Sequence, residues 1–218
     1  MKKSFLYLLV TTLMIGFAIS PGVAAASAEN EYEFSDQLIE KVDSYIKIKQ
    51  NEFIIVDEAG LRSNISYTEY LEVKESLEEV NRMIKENPNL EQIDESTFAY
   101  EITDEEIKEI AAKEGIEFDP TGGEEYDGDN TILKQGVTKL VIKWWGYEVW
   151  ISKSVMQHIL GISVTAAGVF LGVVLPGIGW AIAIAIATYI QSHFTIKKVK
   201  AGIWGYNWKG QEKYFKFQ

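Results

Sequence analysis

The chain has 218 residues, no Cys and a formal net charge of −11. The absence of Cys excludes disulfides, catalytic thiols and thiolate metal sites, and the overall acidity argues against nucleic acid as a partner. The charge is unevenly divided: residues 29–130 contain 30 acidic and 9 basic residues, whereas residues 131–218 contain 2 acidic residues, 10 Lys and all six Trp. An acidic part is therefore joined to a basic, Trp-rich part.

The first 28 residues have the pattern of a secretory signal peptide. Lys2 and Lys3 precede a largely apolar, uncharged stretch over 4–20, and Ala26-Ser27-Ala28 offers the small residues that a signal peptidase recognises. The pattern predicts a secreted protein whose signal peptide (1–28) is removed after Ala28, and it leaves association with a membrane or cell surface open. An uncleaved anchor helix is the alternative.

Residues 29–120 predict a small acidic α+β domain. Two capping boxes, Ser66–Glu69 and Thr103–Glu106, predict helix starts because each pair can satisfy free backbone amides at a helix N-terminus. Periodicity and turn residues predict the other elements, which are a helix over 34–46, a β-hairpin over 45–56 turning at Gln50-Asn51, a helix over 67–86, and a helix from Thr103 ending at Gly115. The carboxylates fall on outer helix faces, which is typical of a solvated surface rather than of an acid–base pair.

Residues 121–136 begin with an acidic, Gly-rich run that has no hydrophobic periodicity. Such a run is typical of a flexible linker between domains, and an exposed linker is where a protease cuts most readily. We therefore expect a domain boundary here, and a cut that would separate the acidic domain from residues 137–218.

The domain over 137–218 contains a long uncharged run. Ser154–Ile196 has no Asp, Glu, Lys or Arg, and Pro176–Gly179 interrupts it. The two arms, as helices, would be about 33 and 25 Å long, near the ~30 Å of a hydrocarbon core. We expect an apolar helical hairpin over 154–196, although the alternating Ala and Ile of 181–187 also fit a strand.

The fold class predicted is α+β. A small acidic α+β N-terminal domain is followed by a C-terminal domain of short β-hairpins flanking the apolar α-helical hairpin. The flanking hairpins are expected over 137–152 and around 202–217, where β-branched and aromatic residues cluster. The helical hairpin fits either insertion into lipid or burial in a soluble core.

The helical hairpin and its flanks supply the candidate membrane-contacting residues. Gly168 and Gly172 form a GxxxG motif, which lets helices approach closely in lipid. The residues expected to insert are Gly168, Gly172, Leu175, Pro176, Gly177, Gly179 and Trp180. Trp and Lys favour the headgroup layer of anionic bilayers, and the expected interfacial residues are Trp144, Trp145, Trp150, Lys153, Lys197, Lys198, Lys200, Trp204 and Trp208.

A resemblance to a known family is carried by three segments, 143–153, 176–180 and 202–205. They occur in a chain with the order signal peptide, acidic region and cationic end. The chain resembles secreted, cysteine-free, bacteriocin-like precursor proteins of Gram-positive bacteria, outside the pediocin class. The resemblance implies a non-enzymatic protein that permeabilises target membranes, with the acidic region shielding the cationic one. It implies an anionic lipid bilayer as partner, allows for a dedicated immunity protein, and implies no cofactor, metal, nucleic acid or small-molecule substrate.

The alternative function is a secreted or cell-wall-associated structural or interaction protein whose apolar hairpin is permanently buried. A hydrolase fits least well, because no nucleophile–base motif is visible and both His residues flank the apolar run. Liposome leakage distinguishes the two leading hypotheses, since only a membrane-active protein releases the contents.

Overall fold

The computed structural model describes residues 34–118, 136–208 and 210–218, except for the side chain of Lys197. The predicted signal peptide over 1–28, with its cleavage after Ala28, lies outside the described residues, as does the predicted linker over 121–136 apart from Gly136. Phe34–Gln218 forms one compact unit. Within the described ranges the fold is mixed α+β, as predicted, with seven α-helices and two antiparallel sheets.

The acidic part contributes the first eight elements. They are α1 Asp36–Asp43, β1 Ile46–Lys49, β2 Glu52–Ile55, α2 Glu58–Asn64, α3 Tyr67–Glu86, β3 Glu91–Gln92, β4 Phe98–Ile102 and α4 Asp104–Lys113. Both predicted capping boxes are complete, with Ser66 and Thr103 as the N-caps of α3 and α4. Gln50 and Asn51 both have positive φ, which a tight two-residue turn between β1 and β2 requires.

The basic part contributes the remaining elements. They are β5 Thr138–Lys143, β6 Gly146–Ile151, α5 Lys153–Gly161, α6 Val164–Val174, α7 Trp180–His193, a 3-10 turn Ile196–Lys198, β7 Gly202–Asn207 and β8 Glu212–Phe217. Both flanking β-hairpins are therefore confirmed. The second helical arm is also confirmed, because α7 contains the whole alternating Ala and Ile segment.

The first arm of the predicted helical hairpin is wrong in one respect, since 154–175 forms two helices rather than one. α5 ends at Gly161, and Ile162 is extended, with φ −124° and ψ 170°. The Ser163 hydroxyl then accepts a hydrogen bond from the backbone amide of Ala166 and starts α6. The uncharged run therefore folds as a short helix followed by a helical hairpin.

One six-stranded antiparallel sheet, in the order β3-β4-β5-β6-β7-β8, joins the two parts of the chain. β4 of the acidic part pairs with β5 of the basic part over five residues, from Phe98 opposite Ile142 to Ile102 opposite Thr138. The two parts were predicted as separate domains, whereas in the structure they contribute adjacent strands to a shared sheet. The pairing joins residues about forty positions apart, which no local pattern indicates.

The two faces of this sheet differ in character. One face, which we call the covered face, carries a group of large side chains that are at most 3% exposed, namely Phe98, Ile102, Leu140, Ile142, Tyr147, Val149, Ile151, Trp204 and Tyr206. α7 packs on it, with the Tyr189 ring 6.0 Å from that of Trp204. The opposite face, which we call the charged face, carries Glu101, Lys139, Lys143, Glu148, Trp150, Tyr214 and Lys216.

Candidate functional site

The turn of the hairpin between α6 and α7 depends on glycine. Gly177 and Gly179 have φ of +102° and +75°, backbone angles that L side chains rarely adopt. Leu175 is buried at the base of the turn, whereas Pro176, both glycines and Trp180 are exposed. Among the predicted inserting residues, those at the tip of the hairpin are therefore exposed, whereas Leu175 is buried and anchors the turn.

The two glycines of the GxxxG motif have different surroundings. A Cβ on Gly168 would overlap Cδ1 of Ile184 and lie 2.9 Å from its Cγ1, so the missing side chain lets α6 approach α7 closely. Gly172 is exposed, and a Cβ placed on it would meet no described atom within 4 Å outside its own helix backbone and chain neighbours. Only Gly168 therefore serves helix packing in the folded chain.

Replacing Gly168 by Val should destabilise the chain by about 1–3 kcal/mol, because the added atoms overpack the α6–α7 contact. The matched change Gly172→Val should alter stability by only about 0.5 kcal/mol, as expected of an exposed position. Denaturant unfolding of both variants measures this difference. Equal losses at the two glycines would contradict the asymmetry.

The helical hairpin buries one side and exposes the other. Ala183 and Ala187 are fully buried, whereas Ala181 and Ala185 are exposed, which is the four-residue spacing of helix faces. The exposed residues from Thr165 to Thr188 share the absence of charge, and we call this surface the outer face; it consists of Thr165, Ala166, Val169, Gly172, Pro176, Gly177, Gly179, Trp180, Ala181, Ala185 and Thr188. None of the helices in the described ranges is both long and apolar enough to cross a membrane.

The acidic part covers other sides of the hairpin. α4 packs against α6, and the Phe118 ring stacks on Phe170 of α6 with centroids 5.5 Å apart. Phe118 also meets His158 of α5 edge-on at 5.2 Å. Nε2 of His158 is buried without a hydrogen-bond partner among the described residues, and burial lowers the pKa of this imidazole, so the ring is neutral at pH 7. This aromatic contact joins the end of the acidic part to the hairpin.

Three of the predicted interfacial residues are core residues in the structure. Trp144, Trp145 and Trp204 are 1%, 7% and 0% exposed. The Trp144 ring packs edge-on against Phe34 at 5.3 Å, and Trp204 lies beneath Tyr189 of α7. In the folded chain these three indoles are therefore not available to lipid, because large aromatic surfaces fill the space between the sheet and its neighbours.

The other predicted interfacial residues are more accessible. Lys198 and Lys200 are exposed, and Lys153 is half-buried at the start of α5. Trp150 and Trp208 are also half-buried, but Trp150 lies on the charged face, away from the hairpin. The side chain of Lys197 lies outside the described residues.

The charged face carries an ion pair whose carboxylate is buried. Glu148 is 5% exposed, and its carboxylate accepts hydrogen bonds from Nζ of Lys143 at 2.6 Å, Nε1 of Trp150 at 2.8 Å and the Tyr214 hydroxyl at 2.5 Å. Burial acts to raise the pKa of Glu148, but these three donors together outweigh it and leave the pKa below its usual value. The carboxylate is therefore ionised at neutral pH, and it links side chains from three strands.

Phe118 and Asp104 are among the residues that join the two parts without having been predicted as site residues. Oδ2 of Asp104 accepts a hydrogen bond from the Ser154 hydroxyl at 2.8 Å, and burial raises the pKa of this carboxyl despite that bond. The one local signal for Phe118 is that it is an aromatic residue just before the predicted linker. Asp104 looks like any acidic residue in the first turn of a helix, so its sequence context carries no signal.

Comparisons of the chain with protein-family models, with curated proteins and with solved structures found no match. The candidate site is therefore defined by its own geometry. It combines an uncharged outer face, a glycine-dependent turn and an exposed Trp at the tip.

Proposed function

We propose that this protein is a secreted, membrane-active protein of the bacteriocin-like type, which binds and permeabilises anionic bilayers through the outer face. The observation that carries the proposal is an exposed hairpin surface without a single charged residue, on a chain in which 24% of the residues are charged. Exposed apolar surfaces rimmed by polar residues commonly mark protein or membrane contacts.

Trp180 supports a membrane rather than a purely aqueous role. Its side chain is 53% exposed at the tip, beside an exposed proline and glycine turn. Trp favours the headgroup layer, because its ring is apolar and its N–H is polar. Helices as short as α6 and α7 can lie in the plane of the interface, with their apolar side in the lipid boundary.

The lysines of the basic part supply preference for negative lipid. Lys198 and Lys200 are exposed shortly after α7, and each Lys near an anionic surface contributes about 1 kcal/mol of attraction. The acidic part carries the opposite charge, so we propose that it weakens this attraction while it remains in place.

Replacing Trp180 by Ala should weaken binding to anionic vesicles about tenfold, because a large exposed apolar surface is lost from the tip. The measurement is a titration of the chain from Glu29 with phosphatidylglycerol-containing vesicles, followed by sedimentation and by release of an entrapped dye. Phosphatidylcholine vesicles should bind more weakly.

The matched control is Tyr67→Ala, since Tyr67 is 67% exposed on α3, within the acidic part. This variant should bind vesicles like the unmodified chain. Absence of vesicle binding by the unmodified chain would contradict the proposal and favour the interaction-protein alternative. Equal binding by the two variants would remove Trp180 from the membrane contact.

A further inference from the structure

We infer that residues 136–218, the basic segment, present a docking surface whose partner is residues 34–118, the acidic segment, and that the two stay assembled after the connecting residues are cut. The consequence for membrane activity rests on the proposed function, because the acidic segment would then restrain the hairpin even in a cleaved protein. The assembly itself does not depend on it.

Strand pairing forms the centre of this docking surface. β4 is inserted between β3 and β5, and five residue pairs join β4 to β5. Phe98 and Ile102 of β4 are 1% and 3% exposed on the covered face. Without the acidic segment, β5 would become an open edge with unpaired backbone groups, a state that proteins commonly avoid.

Helix packing extends the docking surface to the hairpin. Ile107 and Ala111 of α4 are both fully buried, and α4 packs against α6. Phe118, which is 3% exposed, stacks on Phe170. The interface therefore resembles a domain core divided between two chains, which is the character of obligate interfaces.

Polar contacts cross between the segments at both ends of the acidic segment. Near its start, Nε1 of Trp144 donates to Oδ1 of Asp43 at 2.6 Å, and Nζ of Lys213 donates to the Phe34 carbonyl at 2.5 Å.

Further polar contacts lie near the end and in the middle of the acidic segment. Near its end, the Ser154 hydroxyl donates to Asp104. In its middle, the Ser76 hydroxyl donates to the Trp144 carbonyl at 2.5 Å. Contacts distributed in this way hold the whole segment rather than one loop.

Charge attraction contributes less to this assembly than apolar burial and strand pairing do. The acidic segment contains 22 acidic and 9 basic residues, and the basic segment contains 2 acidic and 9 basic ones. However, the ion pair between Lys213 and Asp36 is 3.8 Å long, and the Asp36 side chain is fully exposed, so solvent and salt screen it. Apolar burial and strand pairing should therefore keep the segments together at high salt.

The test inserts a specific protease site between Gly122 and Gly123 of the chain from Glu29. After complete cutting, the two chains should co-elute in gel filtration at about 1 µM, a concentration at which an interface of this character stays assembled. They should also co-elute in about 1 M NaCl, where charges are screened within about 3 Å. They should separate in urea.

Phe118→Ala supplies a second measurement on the cut protein, because loss of a buried aromatic contact should weaken assembly about tenfold or more on dilution. The matched control Glu114→Ala, at an exposed position after α4, should leave assembly unchanged. Separation of the unmodified cut chains without denaturant, or in salt alone, would overturn the inference. Since this test contains no lipid, its failure is distinct from a failure of vesicle binding.

Discussion

Replacing Glu148 by Ala should lower the free energy of unfolding by about 2–4 kcal/mol, because three donors would lose a buried, charged acceptor and each buried donor left unpaired costs about 1–3 kcal/mol. The Lys143 side chain is 31% exposed and that of Glu148 only 6%, so water can solvate the ammonium that is left, and the loss comes mainly from the missing hydrogen bonds. Nε1 of Trp150 and the Tyr214 hydroxyl would lose the same acceptor. Urea unfolding at pH 7 measures the change.

The matched control is Glu212→Ala, because Glu212 lies at the exposed start of β8. Its removal should change the stability by about 0.5 kcal/mol or less, as is usual for surface positions. If Glu148→Ala costs no more than Glu212→Ala, the three hydrogen bonds on the charged face do not stabilise the fold. The double variant Glu148→Leu with Lys143→Met should recover much of the loss, since apolar residues can replace a buried ion pair.

The pH dependence gives an independent readout of Glu148. Its folded pKa lies below the usual value of 4.5, so the unfolded chain binds a proton more readily than the folded chain. The stabilisation by Glu148 is therefore fully present above about pH 4.5 and is lost as the pH falls through the folded pKa. The Glu148→Gln variant should show a shallower loss of stability below pH 4.5 than the unmodified chain.

Local signals predicted much of the secondary structure. The capping boxes at Ser66 and Thr103 start helices through local hydrogen bonds. In each box the cap hydroxyl accepts from the backbone amide three residues later, and the Glu side chain there accepts from the backbone amide of the cap. The turn at Gln50-Asn51 is equally local, since these residue types tolerate positive φ. Gly115, with φ +72°, ends its helix region for the same reason.

Long-range partners could not be predicted in the same way. β4 is a strand because β5 pairs with it, and β5 lies beyond the predicted linker. The break at Ile162 was hidden because it lies within the long uncharged run, where Gly161 and the Ser163 cap are the local signals. The same limit applies to Trp144 and Trp204, since composition alone does not tell a buried indole from an interfacial one.

The sequence predicted that the residues of the candidate site are uncharged, but not which of them are exposed. The uncharged run is visible from the sequence alone, and the turn at 176–179 follows from its Pro and Gly. Which side of each helix is exposed depends on packing against the sheet and α4. Gly168 and Gly172, four residues apart on one helix, show the difference, since one meets Ile184 and the other faces open space.

Replacing Trp144 by Ala should lower the free energy of unfolding by about 3–5 kcal/mol, as large-to-small changes of buried aromatic residues do. Trp144 is 1% exposed and connects the turn between β5 and β6 to α1 through Asp43 and to the Phe34 ring. Chemical unfolding at neutral pH measures the loss. In the cut protein the same change should also promote separation of the two segments, because it removes contacts that cross between them.

Two further variants separate packing from hydrogen bonding at this position. Trp144→Phe keeps a ring against Phe34 but removes the donor to Asp43, so it should cost less than Trp144→Ala, with about 1–2 kcal/mol attributable to the lost hydrogen bond. Trp180→Ala, at the exposed tip, should change the stability by about 0.5 kcal/mol or less. A loss at Trp144 no larger than that at Trp180 would mean that the acidic segment is not held through this indole. A large loss at Trp144 with an unchanged stability of the Trp180→Ala variant would show that fold stability depends on the buried indole, so that Trp180 can be altered in the vesicle experiment without loss of the fold.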